Sequence, residues 1–304
     1  MSQSGSTRAI VAAFFANVGI AIAKFVGFLF TRSASMLAES IHSFADTGNQ
    51  ALLLLGGRRS RKPATEMHAF GYSRERYFWS FVVALVLFSL GGLFSIAEGT
   101  EKLLHPHHIE DAGWALAILA VSAVLEAGSL RTAASESAPL RGRKGWWAFI
   151  RGSRNPELPV VLLEDTGALI GLGLAMIAIS VAIITGDPVW DGLGSIAIGT
   201  LLCAIAAVLA VEMKSLLIGE SAVPDEEARI RSAIESNADV DTLIHLRTQH
   251  LGPEDLLVAT KVAFRADLTV PELARAIDAV EADVRAELPT VRLMYVEPDL
   301  LREN

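Results

Sequence analysis

Cysteine is almost missing from this chain: Cys203 is the single one, and it lies inside an apolar run. That excludes a disulfide framework and a thiolate metal cluster. Charge is also scarce, at 20% of residues against 52% hydrophobic, and the mean hydropathy is +0.42. A wholly soluble chain of this size would carry more polar surface. No low-complexity tract and no usable internal repeat occurs, and there is no HExxH metalloenzyme motif. The opening MSQSGSTRAI lacks the basic region and small-residue cleavage site of a secretory signal, so the first apolar segment is expected to be a retained anchor. The net charge of −8 is unevenly spread, and nothing in the sequence points to nucleic acid.

What the chain does have is long apolar runs. Six can be marked: Ile10 to Phe30, Met36 to Gly57, Phe78 to Leu103, Ala112 to Thr132, Pro159 to Thr185 and Val189 to Leu217. Each reaches the roughly 18 residues that a bilayer core demands of a helix. Helix is the expected form, because unpaired backbone groups in lipid are too costly for open loops. The second-to-third connection, RRSRKPATEMHAFGYSRER, and the fourth-to-fifth, from Arg131 to Arg154, are rich in Arg and Lys. Positive-inside bias then places both termini in the cytoplasm. Trp146 and Trp147 among Arg141, Arg143, Lys144 and Arg151 suit a headgroup-level anchor.

After residue 218 the character changes, which divides the chain into a transmembrane region, 1–218, and a cytoplasmic one, 219–304. An acidic helix opens at Pro224. Two strand-like runs follow, Leu243 to Leu251 and Leu256 to Phe264, on either side of the turn Gly252-Pro253. Val270, Leu273, Ile277, Val280, Val284 and Leu288 recur at helical spacing, and Val291 to Val296 reads as a last strand. The order α-β-β-α-β predicts a small open-faced α+β domain.

Chemistry concentrates in two of the apolar runs. In MLAESIHSFADTGNQ, Glu39, His42, Asp46 and Asn49 stand three, four and three residues apart, one stripe on a helix face. Each ionisable group at mid-membrane depth costs roughly 2.5–3.5 kcal/mol on insertion scales, so several together call for a compensating partner. A divalent cation is one, with His42 offering nitrogen and Asp46 oxygen; a hydrogen-bonded seam between helices is the bland alternative. The fifth run, NPELPVVLLEDTGALIGLGL, adds adjacent carboxylates Glu164 and Asp165. Neighbours project about 100° apart on a helix. Asp165 is therefore the expected ligand, and Glu164 an alternative ligand, a supporting group or a proton carrier. Carboxylates this close in a dry site favour holding a proton, which could be exchanged for a metal ion. Glu98 and Glu126 fit either helix ends or a water-filled cavity, and Lys24 is expected to snorkel or pair with a carboxylate. His105, His107 and His108 read as an exposed polar loop.

The stretches KFVGFLFTRSASMLAESIHSFADTGNQ, HAFGYSRERYFW, VVLLEDTGALIG and VWDGLGSIAIGTLL resemble the cation diffusion facilitator family, in its branch of zinc transporters with an LLEDT sequence in the fifth helix. The similarity covers nearly the whole chain. It implies a six-helix transmembrane bundle with a C-terminal ferredoxin-like cytoplasmic domain, acting as a homodimeric zinc/proton antiporter. Much of the family takes paired ligands, one turn apart, from both the second and fifth helices, but here Val161 precedes Asp165 by one turn. The resemblance leaves His42, Asp46 and Asp165, to be completed by Glu164, Asn49, Glu39 or water. Tyr72 replaces a histidine of a loop site found in some relatives, leaving His68 structural. Tyr295 and Glu297 stand where metal-sensing relatives carry a histidine and an aspartate, although His245 survives. The C-terminal domain is therefore expected to serve dimerisation.

These readings converge on a divalent-cation transporter rather than an enzyme, exporting the ion from the cytoplasm in exchange for protons. A site with one His and several oxygens suits Zn2+, with Mn2+, Co2+, Ni2+ and Fe2+ remaining open. The compact loops suit a bacterial inner membrane. The rivals are a membrane-bound metalloenzyme, with His42 and carboxylates activating water, and a membrane scaffold that transports nothing.

Overall fold

Apolarity and helix propensity together set the first part of the fold. A computed structural model describes the backbone of residues 3–31, 34–106 and 112–301, with side chains from 14–15, 17–30, 40–106 and 113–301. Contacts divide the chain into two units, one of residues 1–60 and 75–214, the other of residues 61–74 and 215–304.

The first unit is helical. It contains α1 (Gln3–Thr31), α2 (Ala34–Arg59), α3 (Glu75–Val86), a π-helical stretch (Leu87–Leu93), α4 (Phe94–Leu104), α5 (Ala112–Arg141), the short α6 (Trp146–Gly152), α7 (Glu157–Thr185) and α8 (Val189–Ile218), the last of which runs on into the second unit. Because α3, the π stretch and α4 form one continuous rod, the described residues hold six long helices in a bundle. Among the described residues, four rods are long and apolar enough to cross a membrane, at 75–104, 113–141, 157–185 and 189–218, and Asn17–Phe30 is a shorter apolar helix. The fourth rod is longer than its apolar run, which stops near Thr132. Apolarity marks what lipid must cover, whereas AASESA beyond it is simply helix-permissive. α7 begins beyond Pro156 and ends where Gly186 adopts a left-handed φ of 71°, its N–H donating to the Ala182 carbonyl.

Two features inside this unit escape hydropathy. The third rod crosses α8 so closely that a Cβ on Gly99 would fall 2.6 Å from the Gly192 carbonyl, and one on Gly199 2.6 Å from that of Gly92. Such backbone approach in lipid needs residues without side chains. Charged groups also pair across helices. Arg76 Nε donates to Glu157 Oε1 at 2.8 Å, and Lys102 Nζ lies 3.0 Å from Asp191 Oδ2 and 3.5 Å from Glu98 Oε1. Glu98 thus belongs to an ion-pair cluster. Lys24 does not snorkel: it is buried and donates to Ser43 Oγ on α2 at 2.8 Å. In α6, Trp146 and Trp147 are exposed, with the Arg141 guanidinium 4.4 Å from the Trp146 ring centre, within cation–π range. His105 is exposed and pairs with Glu101 at 2.9 Å; His107 and His108 lie outside the described residues.

The second unit is α+β. It holds α9 (Pro224–Glu235), β1 (Val240–Gly252), β2 (Asp255–Phe264), α10 (Val270–Glu287) and β3 (Val291–Pro298), with sheet order β1-β2-β3. β1 and β2 are antiparallel around a tight turn at Pro253-Glu254; β2 and β3 are parallel, which demands the α10 crossover. Ile230, Ile234, Leu256, Val258, Val262, Val280, Val284 and Val291 form the core. Of the helical positions expected inward, Val280 and Val284 are buried, whereas Val270 is 81% exposed because it opens the first turn of α10 beyond the sheet. Thr269 and Glu272 cap that turn, the Thr269 N–H donating to Glu272 Oε2 at 2.8 Å. The loop 61–74 joins this unit through a hydrogen bond from Ser73 Oγ to Asp255, whose other oxygen accepts from Arg292 at 3.0 Å.

Candidate metal site

α2 carries a polar stripe because its residues at helical spacing face protein. His42 Nε2 lies 3.4 Å from Asp46 Oδ2, one turn away, and both residues are only 8% exposed. Asn49, one turn further on, is wholly buried and donates from Nδ2 to Glu164 Oε1 of α7 at 2.7 Å. The stripe therefore reaches the second acidic segment directly. The backbone of Glu39 continues α2, but its side chain lies outside the described residues.

α7 turns both of its adjacent carboxylates inward: Glu164 is 7% exposed and Asp165 4%. They diverge as the 100° rule requires. Glu164 bonds to α2, while Asp165 Oδ2 accepts from Ser129 Oγ of α5 at 2.8 Å. Like charge couples these groups by repulsion over a longer range. Glu164 feels Asp46, Asp165 and Glu126, and Asp165 feels Glu126 and Asp46. Glu126 on α5 is itself buried, at 3% exposure. Four carboxyl groups and one imidazole are thus collected from α2, α5 and α7.

The π-helical stretch borders the same place. A Cβ at Gly91 would lie 3.6 Å from His42 Nδ1, in ordinary contact, and the Gly91 carbonyl accepts from Ser95 Oγ at 2.7 Å. π turns are frequent at functional sites, where they displace a helix face locally. Among the described residues, His42 Nδ1 and Asn49 Oδ1 are buried without a hydrogen-bond partner. A buried polar atom left so costs about 1–3 kcal/mol, which suits a cluster completed by a guest.

The expected ligand set is drawn together only in part. His42 pairs with Asp46, Glu164 with Asn49, and Asp165 with Ser129, and among the described residues no three His, Cys, Asp or Glu side chains converge to ligand distance. Ligation by one ion therefore needs side-chain rearrangement. Sequence reasoning missed Ser129 as the Asp165 partner. Its signal was the spacing Glu126-x-x-Ser129, faint because serine is common in membrane helices.

In the second unit, no three His, Cys, Asp or Glu side chains gather to hold a metal among the described residues. His245, Lys261 and Glu297 form a row across the sheet, so an ammonium stands between the imidazole and the carboxylate. Lys261 binds Asp299 at 2.9 Å and Glu297 at 3.1 Å, and these contacts hold its pKa above the usual lysine value. Tyr295 is exposed. In the loop, His68 Nδ1 meets Tyr72 Oη at 3.0 Å with the rings 4.6 Å apart, a structural pairing.

Comparison with known proteins fits this arrangement. Residues 10–218 match the cation efflux transmembrane domain. The chain is 34% identical over 270 residues to "Proton-coupled zinc antiporter SLC30A9, mitochondrial" of Xenopus laevis, covering 88% of this chain and 47% of that protein. It is 28% identical over 272 residues to "Metal tolerance protein C4" of Arabidopsis thaliana, covering 89% and 60%. It spans about half the length of the first of these relatives. A solved MamM C-terminal domain, in a nickel form, is 22% identical, covers 26% of this chain and 100% of that one, and gives a TM-score of 0.25. With two thirds of its length matching the transmembrane domain and buried ionisable groups gathered between its helices, this multi-pass membrane protein belongs to the cation efflux, or cation diffusion facilitator, family of transporters.

Proposed function

We propose that this protein exchanges Zn2+ for protons across a membrane, exporting the ion from the cytoplasm. The observation that carries the reading is the burial of His42, Asp46, Glu164 and Asp165 at the meeting of α2 and α7, where unpaired charge would otherwise be costly. One imidazole among several carboxylates favours zinc, and admits Mn2+, Co2+, Ni2+ or Fe2+ with lower preference. Two relatives, one named a proton-coupled zinc antiporter and the other a metal tolerance protein, support both cargo and coupling. Carboxylates that face an ion from one side of the membrane release it on the other by taking up protons.

His42, Asp46 and Asp165 are the assigned ligands. Glu164, tethered by Asn49, links the two helices and is the alternative donor; Glu39 and Asn49 are accessory. Ion binding would draw these side chains together, and rocking of the bundle would open the site alternately to either face. The second unit would hold two copies together as a homodimer. Both termini face the cytoplasm by the positive-inside bias of the basic loops, and the short connections favour a bacterial inner membrane.

Purified protein in sealed liposomes tests the reading. Under a pH gradient the wild type is expected to move zinc, and His42→Ala or Asp46→Ala to abolish the movement. A metalloenzyme or an inert scaffold would leave vesicular zinc unchanged. Full flux in both variants would defeat the ligand assignment.

A further inference from the structure

A closed zinc site takes four donors in a tetrahedron. α2 offers His42 and Asp46, and α7 offers Asp165. The position one turn before Asp165 is Val161, buried and purely hydrocarbon, so α7 has no second donor on that face. α5 packs along α7, and its Ser129 donates to Asp165 Oδ2 at 2.8 Å. Glu126 stands three residues before Ser129, on the same face of α5. It is 3% exposed, and its charge bears on both Asp165 and Glu164.

Crowded carboxylates do not by themselves define an ion site. Here a second observation points the same way. Asn49, wholly buried, spends its Nδ2 on Glu164 while its Oδ1 has no hydrogen-bond partner among the described residues, and the Nδ1 of the buried His42 is in the same condition. Lone pairs idle beside an acidic cluster are what a bound cation would organise.

We propose that Glu126 is a metal ligand, supplying from α5 the donor that Val161 fails to supply on α7, so that three helices rather than two hold the transported cation. The proposal rests on the transport reading above. It gives the site one nitrogen and three carboxylates, and leaves Glu164 to bridge α2 and α7.

The test measures equilibrium zinc binding and liposome flux for the full chain. Glu126→Gln, which keeps the size of the side chain, is expected to weaken zinc binding at least about tenfold. Adding Val161→Asp, which returns a carboxylate to α7, is expected to recover most of the lost affinity. Wild-type affinity in Glu126→Gln overturns the proposal, and so does a loss that Val161→Asp leaves untouched, since that marks a merely structural role. If Glu126→Gln does not fold, Glu126→Met, of similar size and without a carboxylate, serves, and an unchanged zinc affinity there is equally fatal. Wild-type protein that moves no divalent cation would instead overturn the transport reading, whereas wild-type flux with an indifferent Glu126→Gln removes Glu126 alone.

Discussion

Asn49 joins the two acidic segments through one amide, so its removal separates packing from chemistry. Asn49→Leu strips Glu164 of a hydrogen bond in a dry place and is expected to cost about 1–3 kcal/mol, read as a lower thermal midpoint in detergent. A second residue-scale expectation concerns Glu272, whose carboxyl is held below the usual range by hydrogen bonds from the Thr269 hydroxyl and N–H. A depressed carboxylate pKa contributes stability that is present above the unfolded pKa and lost as pH falls through the folded one. Amide protection factors at the first turn of α10 should therefore fall on acidification below about pH 4, and Glu272→Gln should remove that dependence. The stripe Glu39, His42, Asp46, Asn49 was legible in sequence because helical spacing fixes which side chains share a face. The partners across the gap, Asn49 with Glu164 and Ser129 with Asp165, were not, because spacing within one helix says nothing about which neighbour it meets.

Between elements, the most consequential contact is the ion pair that ties the start of α3 to the start of α7. Both Arg76 and Glu157 side chains are largely buried, at 14% and 8% exposure. Breaking the pair leaves a buried carboxylate uncompensated, and Arg76→Ala is expected to cost about 3–5 kcal/mol of stability by chemical unfolding. The six apolar runs announced the rods, since lipid imposes both their length and their composition. The π stretch at Leu87–Leu93 and the glycine-lined crossing with α8 went unread. Glycines 92, 99, 192 and 199 look ordinary in a membrane helix until the opposing backbone is in place.

For the whole molecule, hydropathy drew one boundary at residue 218, whereas contacts group the loop 61–74 with the C-terminal residues. A linear scan cannot see this, because Ser73 and Asp255 are distant in sequence and adjacent only after folding. The row His245–Lys261–Glu297 sets an ammonium between imidazole and carboxylate, and Tyr295→Ala should leave most zinc flux intact in liposomes. The central claim is that a divalent cation is held between α2 and α7. Cryo-electron microscopy of the zinc-loaded protein tests it directly. The account predicts density for an ion at about 2.0–2.2 Å from a nitrogen of His42 and oxygens of Asp46 and Asp165. Zinc bound only elsewhere, with these side chains undisturbed, would contradict it.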